Sequence, residues 1–239
     1  MKKNDLILTN IIIATLLLCS CSLFQGPITQ RISTKIKRFK EEVEEYKDQA
    51  EDSDQFGMKY SVFNTDTTVL KLSKLSSDSK KEERLLFYSS LDYNKERIVS
   101  FGKILTQLYK QKEHHKLIEE VVKVGYFNIQ KSLEEIILKI SDDKDELKRL
   151  GKENLKTLET AIKELFEIKQ NWIEKIDEII LEYNENLKKI KEDVESLAEH
   201  IRYKIKPEKY DTTDAIAKIK EILNPNYNLP NLTIPGSQN

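Results

Sequence analysis

The strongest constraint on the fold is a run of apolar residues spaced by three and four along the second half of the chain. Its members are Leu155, Leu158, Ile162, Leu165, Trp172, Ile176, Ile179 and Tyr183, with Lys169 as the charged residue in the series. This heptad spacing keeps one stripe of a helix apolar along its length. It predicts one long helix whose stripe must be buried by other helices.

The heptad pattern slips after Tyr183. Leu187 follows at a second consecutive step of four, and Ile190, Val194, Leu197 and Ile201 then resume the alternation. Such a slip is a stutter, which locally changes the winding of a helix. The sequence leaves open whether Asn184 marks a bend or a break, and Pro207 ends the pattern.

Shorter amphipathic stripes occupy the rest of the chain. They include Ile32 to Ala50, a helix after the capping box at Ser79, one capped by Asn94, Leu117 to Ile140 with Gly125 on its buried face, a short helix closed by Gly151, and a last helix capped by Asp211 to Thr213. Only six glycines and five prolines interrupt them. Because several separate stripes favour an internal bundle over an intermolecular coiled coil, we predict an all-α fold, a bundle of about five to seven helices.

The first residues have the pattern of a lipoprotein leader. Two lysines precede an apolar run of about 13 residues, which is too short to span a bilayer. Leu18, Ser20 and Cys21 fit a lipoprotein cleavage site, so we expect residues 1–20 to be removed and Cys21 to carry acyl chains. The predicted organisation is then a tether over 21–30, one helical domain over 31–223 that includes an ordered loop over 55–77, and a Pro/Asn-rich tail over 224–239.

Chemistry-bearing motifs are scarce. Both cysteines, Cys19 and Cys21, lie in the leader, which excludes disulfides from the rest of the chain. No metal-ligand, nucleophile or phosphate-loop spacing is present, so we predict a non-enzyme without cofactor or metal. The histidines, His114, His115 and His200, are interpreted as surface or boundary residues, and the acidic clusters at 41–45 and 142–146 as solvated helix faces. Because 40 basic residues face 41 acidic ones, general nucleic-acid affinity is not expected.

Two residues of the heptad stripe invite a functional interpretation. Trp172 can anchor the core or contact a ligand, and its position between Leu165 and Ile179 favours the core. Lys169 can extend its amine to the edge of the domain, which we favour, or mark a stripe left open for a partner.

Three segments then carry a family resemblance: Gln55–Asn64, Leu86–Asn94 (LFYSSLDYN) and Asn171–Asn184 (NWIEKIDEIILEYN). Together with their order and spacing, these segments resemble the virulent-strain-associated surface lipoproteins of Lyme-disease spirochaetes (Borrelia), a family that includes the complement regulator-acquiring surface proteins. The resemblance spans roughly residues 55–200. It implies an all-helical, lipid-anchored domain on the outer membrane surface.

The resemblance also implies a partner class. We expect a membrane contact through Cys21 and a host protein, such as a complement component or regulator, bound for immune evasion in host or tick. An adhesin for extracellular matrix or a tick component, or a structural lipoprotein without a host ligand, are the alternatives. The resemblance further implies dimerisation through the C-terminal helix in the factor H binder of the family. The extension after Pro207 departs from the expected family pattern, so the sequence leaves open whether this chain dimerises or binds factor H.

Overall fold

The all-α prediction is confirmed by a computed structural model, which describes residues 26–45, 54–63, 81–142 and 144–223. No strand occurs among these residues. The α-helices, numbered in chain order, are α1 (26–45), α2 (Lys81–Ser90), α3 (Lys95–Tyr109), α4 (His115–Lys123), α5 (Ser132–Asp142), α6 (Lys144–Arg149), α7 (Lys152–Asn184), α8 (Val194–Lys204) and α9 (Thr213–Leu223). A π-helix, Val124–Lys131, connects α4 to α5, and short 3₁₀ turns cover Lys112–His114, Leu187–Lys189 and Pro207–Tyr210.

Helix α7 holds the two halves of the core together. Its C-terminal half packs with α2, α3, α4 and α8 around the fully buried Trp172, which confirms the expected core anchor. Its N-terminal half packs with α1, α5 and α9 in a second apolar cluster. The heptad residues from Leu155 to Ile179 are buried as predicted, and the partly buried Tyr183 packs against the first cluster.

Helix α1 begins earlier than the sequence suggested. Residues 26–30, expected to belong to the tether, are helical, and Ile28 is buried with Ile32 and Ile36. Proline is compatible with a first helical turn because it has no N–H to leave unpaired there, so Gly26 and Pro27 start the helix rather than prevent it. The helical domain therefore includes residues that were expected to be flexible, while the remaining tether residues, 21–25, lie outside the described chain.

The stripe from Leu117 to Ile140 folds as one continuous rod with a widened π-helical centre. Gly125 lies in this centre on the buried face, as predicted, against α2 and Trp172. Two hydroxyl groups donate to backbone carbonyls of the π-helix: Thr212 to Asn128 at 3.0 Å and Ser132 to Phe127 at 3.2 Å. Side-chain hydrogen bonds of this kind help to satisfy carbonyls where the regular helical ladder is interrupted.

The stutter after Tyr183 is a break rather than a bend. Helix α7 ends at Asn184, and Asn186, Lys188 and Lys189 adopt left-handed backbone conformations. The Asn186 side chain closes this turn, accepting from the backbone N–H of Lys191 at 2.9 Å. Asparagine tolerates the left-handed region better than most residues, which explains why the chain turns here.

Three predicted helix starts can be compared with the structure. Asn94 Oδ1 accepts from the Arg97 N–H at 2.9 Å, and Asp211 Oδ1 accepts from the Thr213 N–H at 2.9 Å, which confirms both caps. Helix α2 starts at Lys81, while the capping serine, Ser79, lies outside the described residues. Of the predicted loop over 55–77, residues 54–63 form consecutive turns that bury Met58, Val62 and Phe63, and the remainder lies outside the described chain.

Candidate functional site

The described fold begins only a few residues after the predicted anchor. Helix α1 starts at residue 26, five positions after Cys21, and five residues span at most about 18 Å. Cys21 lies outside the described residues, so its lipidation stays a prediction. If acyl chains are attached there, the start of α1 lies close to the membrane.

Helices α1 and α7 run parallel, and this sets the direction of the long helix. Arg31 pairs with Glu159 through two hydrogen bonds, Nε to Oε1 at 2.6 Å and Nη2 to Oε2 at 3.0 Å. Further along both helices, the rings of Phe39 and Phe166 meet edge to face with centroids 5.4 Å apart. Since a helix rises 1.5 Å per residue, the end of α7 lies about 45 Å from the start of α1 along this axis. We call this the distal end.

The distal end consists of the last turns of α7, the break after Asn184 and helix α8, which packs antiparallel to α7. Lys204 on α8 donates to Glu178 Oε1 at 2.5 Å and to Glu182 Oε1 at 2.9 Å on α7. His200 Nε2 lies 2.6 Å from the other oxygen of Glu182. Hydrogen bonds from Lys175 and Lys204 lower the pKa of Glu178 to about 2. These ion pairs fix the register of the two helices.

Large apolar side chains are exposed beside this ion-pair network. Leu181 on α7 is 57% exposed, Leu187 in the following 3₁₀ turn is 44% exposed, and Tyr203 on α8 is 71% exposed. Lys204 contacts α7 at Glu178 and Glu182, so Tyr203 and Leu181 lie at the same level along the two helices. We call Leu181, Leu187 and Tyr203 the distal apolar residues. Large apolar side chains exposed within a charged surface are typical of a protein-binding surface.

A groove also lies beside the π-helix, with a volume of about 450 Å³ between α4, the π-helix and α9. Phe127 on one wall is half-buried, and the amines of Lys123 and Lys131 lie 5.9 Å and 5.5 Å from its ring centroid. Ile216 on α9 and Pro207 line the groove as well. This arrangement offers a second, mixed apolar and basic surface.

Lys169 is neither left open for a partner nor freely exposed. Its buried side chain extends from the heptad stripe to Asp92, with the Nζ atom 3.0 Å from Oδ1. The same amine lies 5.8 Å from the centroid of Phe39. The amine therefore extends towards the edge of the domain, as we favoured, because Asp92 is half-exposed and lines a shallow groove of about 440 Å³. The sequence could not identify Asp92, which is 77 positions away.

The burial of two histidines contradicts the prediction that they lie at the surface or at a boundary. His114 is 1% exposed and His115 is also buried, although both were interpreted as surface or boundary residues. The His115 ring stacks on Tyr109 with centroids 4.7 Å apart and contacts the Tyr109 carbonyl at 2.8 Å. Both are drawn inside because the 3₁₀ turn Lys112–His114 folds back against α3 and α8. His200 lies at a boundary as expected.

The comparison with protein families settles the relationship of the chain. A family profile described as "Borrelia Bbcrasp-1 domain containing protein" matches residues 45–225. The chain belongs to this family. The resemblance noted in the sequence is thereby confirmed, and this Borrelia protein is an outer surface lipoprotein by family. The expected departure from the family pattern after Pro207 is wrong, because the match continues through α9 to residue 225. No curated protein matches it significantly by sequence.

Solved structures of Borrelia surface proteins share its fold. The BSA64 protein of Borrelia spielmanii is 29% identical with a TM-score of 0.75, and the match covers 84% of this chain and 95% of BSA64. The outer surface lipoprotein BBA64 of Borrelia burgdorferi is also 29% identical with a TM-score of 0.73, covering 83% and 94% of the two chains. BGA71 of Borreliella bavariensis, described as a membrane attack complex assembly inhibitor, is 19% identical with a TM-score of 0.54, covering 79% and 98%.

BBA64 is described as an outer surface lipoprotein, and none of the three proteins is described as an enzyme. Among the described residues, no helix is long and apolar enough to cross a membrane. The acidic cluster at 41–45 lies on α1, where Glu41, Glu44 and Glu45 are exposed as predicted. The side chains of the cluster at 142–146 lie outside the described part.

Proposed function

We propose that this Borrelia lipoprotein is anchored by acyl chains on Cys21 and binds a host complement component or regulator through its distal end. The observation that carries the proposal is the exposure of the distal apolar residues towards the end of α7 that lies opposite to the start of α1. A partner in solution reaches this end without approaching the membrane.

The composition of the distal surface supports a protein ligand. Tyrosine at an interface buries a large area at a low cost in side-chain entropy, and hot spots commonly combine such a residue with neighbouring aliphatic groups. Around the distal apolar residues, exposed charges such as Lys188, Lys189 and Glu185 form a polar rim. A rim of this kind excludes water and selects partners by charge.

The proposal that the ligand is a complement protein is based on the relatives. BGA71, which shares the helical fold, is described as an inhibitor of membrane attack complex assembly. The family to which this chain belongs is named after a Bbcrasp-1 domain. Because distant relatives with one fold often differ in their binding sites, the ligand must be identified on this chain itself.

A pull-down from human serum tests the proposal. The bait is the chain over residues 22–239, which includes every described helix and lacks Cys21. We expect a complement protein to be retained by this bait and lost from a variant carrying Leu181→Glu and Tyr203→Glu. The matched control is Tyr60→Glu, because Tyr60 is 75% exposed and belongs to the 54–63 segment rather than to α7 or α8.

The two parts of the proposal fail differently. If serum yields no complement protein with the unmodified bait, the complement ligand is wrong, and retention of matrix proteins would favour an adhesin. If a complement protein is retained equally by the double variant and by the bait, the ligand is right and the distal surface is wrong.

A further inference from the structure

His114 occupies an unusual environment for a histidine. It lies at the junction of the 3₁₀ turn Lys112–His114 and α4, and its side chain is 1% exposed. Neither Nδ1 nor Nε2 has a hydrogen-bond partner among the described residues. Burying an unsatisfied polar group costs about 1–3 kcal/mol, so such a group requires an explanation, and a bound ion is one.

Two carboxylates converge on this ring from different parts of the chain. Glu113 precedes His114 in the 3₁₀ turn, and Glu195 lies in the first turn of α8. One ligand atom from each of the three residues lies within 4.8 Å of the others. The closest approach to the ring is 3.4 Å, between His114 Nε2 and Glu195 Oε2. One buried nitrogen and two exposed carboxylates therefore lie close enough together to approach a common ion.

We propose that His114, Glu113 and Glu195 form a binding site for a divalent transition-metal ion of the zinc type. Imidazole nitrogen with carboxylate oxygen suits zinc, whereas calcium and magnesium prefer ligand sets made only of oxygen. His114 Nε2 and one oxygen from each glutamate supply three ligands, and water completes the coordination shell.

The geometry requires small side-chain movements only. Ligand bonds to zinc of about 2.0–2.2 Å need donor atoms closer together than the observed 4.8 Å limit. Glu113 and Glu195 are exposed, so their carboxylates can rotate inward without disturbing the core. The buried imidazole is already fixed by packing, which reduces the entropy lost when the ion binds.

Arg202 forms an ion pair with one of the proposed ligands, Glu195. Its Nη1 atom lies 3.6 Å from Glu195 Oε1, whereas Glu195 Oε2 is the oxygen that faces His114. The arginine therefore holds the carboxylate from one side and leaves the oxygen facing His114 available. A simple ion pair between protonated His114 and Glu195 is the competing explanation, and metal titration separates the two.

The proposed ion would join the turn before α4 to the start of α8. These elements are 81 positions apart in sequence, and Glu195 is exposed on α8 next to the Asp193 cap. A ligand that binds only the folded state stabilises it in proportion to the logarithm of its concentration over its dissociation constant. Saturation with zinc should therefore raise the melting temperature of the domain.

Isothermal titration calorimetry with zinc chloride tests the site on the metal-free 22–239 chain, which has no cysteine to compete for the metal. We expect one zinc ion per chain and a loss of affinity of about tenfold or more in each of Glu113→Gln and Glu195→Gln. The matched control is Glu199→Gln, an exposed glutamate one turn further along α8. It should bind zinc as the unmodified chain does.

The glutamate variants keep the test valid because they change exposed side chains and leave the buried ring in place. Circular dichroism should show the same helical content in all of them. Absence of zinc binding at millimolar concentration, unchanged affinity in Glu195→Gln, or equal affinity for magnesium would each overturn the proposal.

Discussion

Replacing Gly125 with alanine measures how closely α2, α7 and the π-helix pack. A Cβ atom at this position would lie 2.7 Å from Ser90 Oγ and 3.1 Å from both Phe87 Cδ2 and Trp172 Cζ2. Phe87 and Trp172 are fully buried, so neither ring has space to withdraw. The added methyl group must therefore separate the helices or force the rings out of their preferred rotamers.

The expected magnitude is the difference between two opposing effects. Alanine normally stabilises a helix by about 1 kcal/mol relative to glycine. Overpacking a dense core costs typically about 1–3 kcal/mol. With three close contacts at Gly125, we expect overpacking to dominate and the free energy of unfolding to fall by about 1–2 kcal/mol. For a domain of this size that corresponds to a decrease in melting temperature of roughly 3–6 °C.

Chemical denaturation followed by circular dichroism checks this prediction. The control is Gly102→Ala in α3, whose Cβ would lie 2.8 Å from the Cε atom and 3.1 Å from the Cγ atom of the buried Met58. Because methionine is unbranched and adapts its rotamer more easily than an aromatic ring, this variant should lose less stability than Gly125→Ala. Ser90→Ala combined with Gly125→Ala should recover part of the loss because it removes the shortest contact. An increase in stability for Gly125→Ala would refute the reasoning.

Three further perturbations test separate parts of the account. Because the pKa of Glu178 is lowered to about 2, its charge stabilises the fold above pH 4.5, and this contribution is lost as the pH falls towards 2. After allowance for solvent screening, Glu178→Gln should lower the free energy of unfolding by about 1 kcal/mol at pH 7. Denaturation measured at several pH values should show that this difference disappears near pH 2. Asp92→Asn leaves the buried Lys169 amine without its carboxylate and should destabilise the chain in urea denaturation, whereas Lys169→Met should be close to neutral. A greater loss of stability in Lys169→Met than in Asp92→Asn would contradict the assigned ion pair. Cys21→Ala should shift the full-length protein from the detergent phase to the aqueous phase in a Triton X-114 partition, and continued detergent partitioning would exclude Cys21 as the anchor.

The local elements were largely predictable because their signals lie within a few residues. The heptad spacing from Leu155 to Tyr183 contains the whole pattern of α7, and caps such as Asn94 act on a backbone N–H three positions away. The burial of Gly125 followed from the stripe on which it lies. The start of α1 was placed too late because Gly26 and Pro27 were interpreted as breakers.

The long-range features could not be predicted from one sequence. Asp92 pairs with Lys169 across 77 positions, and Glu195 meets His114 across 81. Neither pair shares a local pattern, since only the packing of α8 and α2 against their neighbours brings the atoms together. The π-helix at Val124–Lys131 likewise depends on tertiary contacts, including the Thr212 hydroxyl on the Asn128 carbonyl. The distal apolar residues could be identified only from the exposed fractions of their side chains in the structure.

A complement lysis assay tests the central claim, that the distal end of this lipoprotein acts on the host complement system. Antibody-coated erythrocytes are exposed to human serum with the 22–239 chain, with its Leu181→Glu, Tyr203→Glu variant or with the Tyr60→Glu control. The account predicts that the unmodified chain and the control reduce lysis to the same extent and that the double variant has lost this effect. Full lysis in the presence of the unmodified chain at saturating concentration would contradict it.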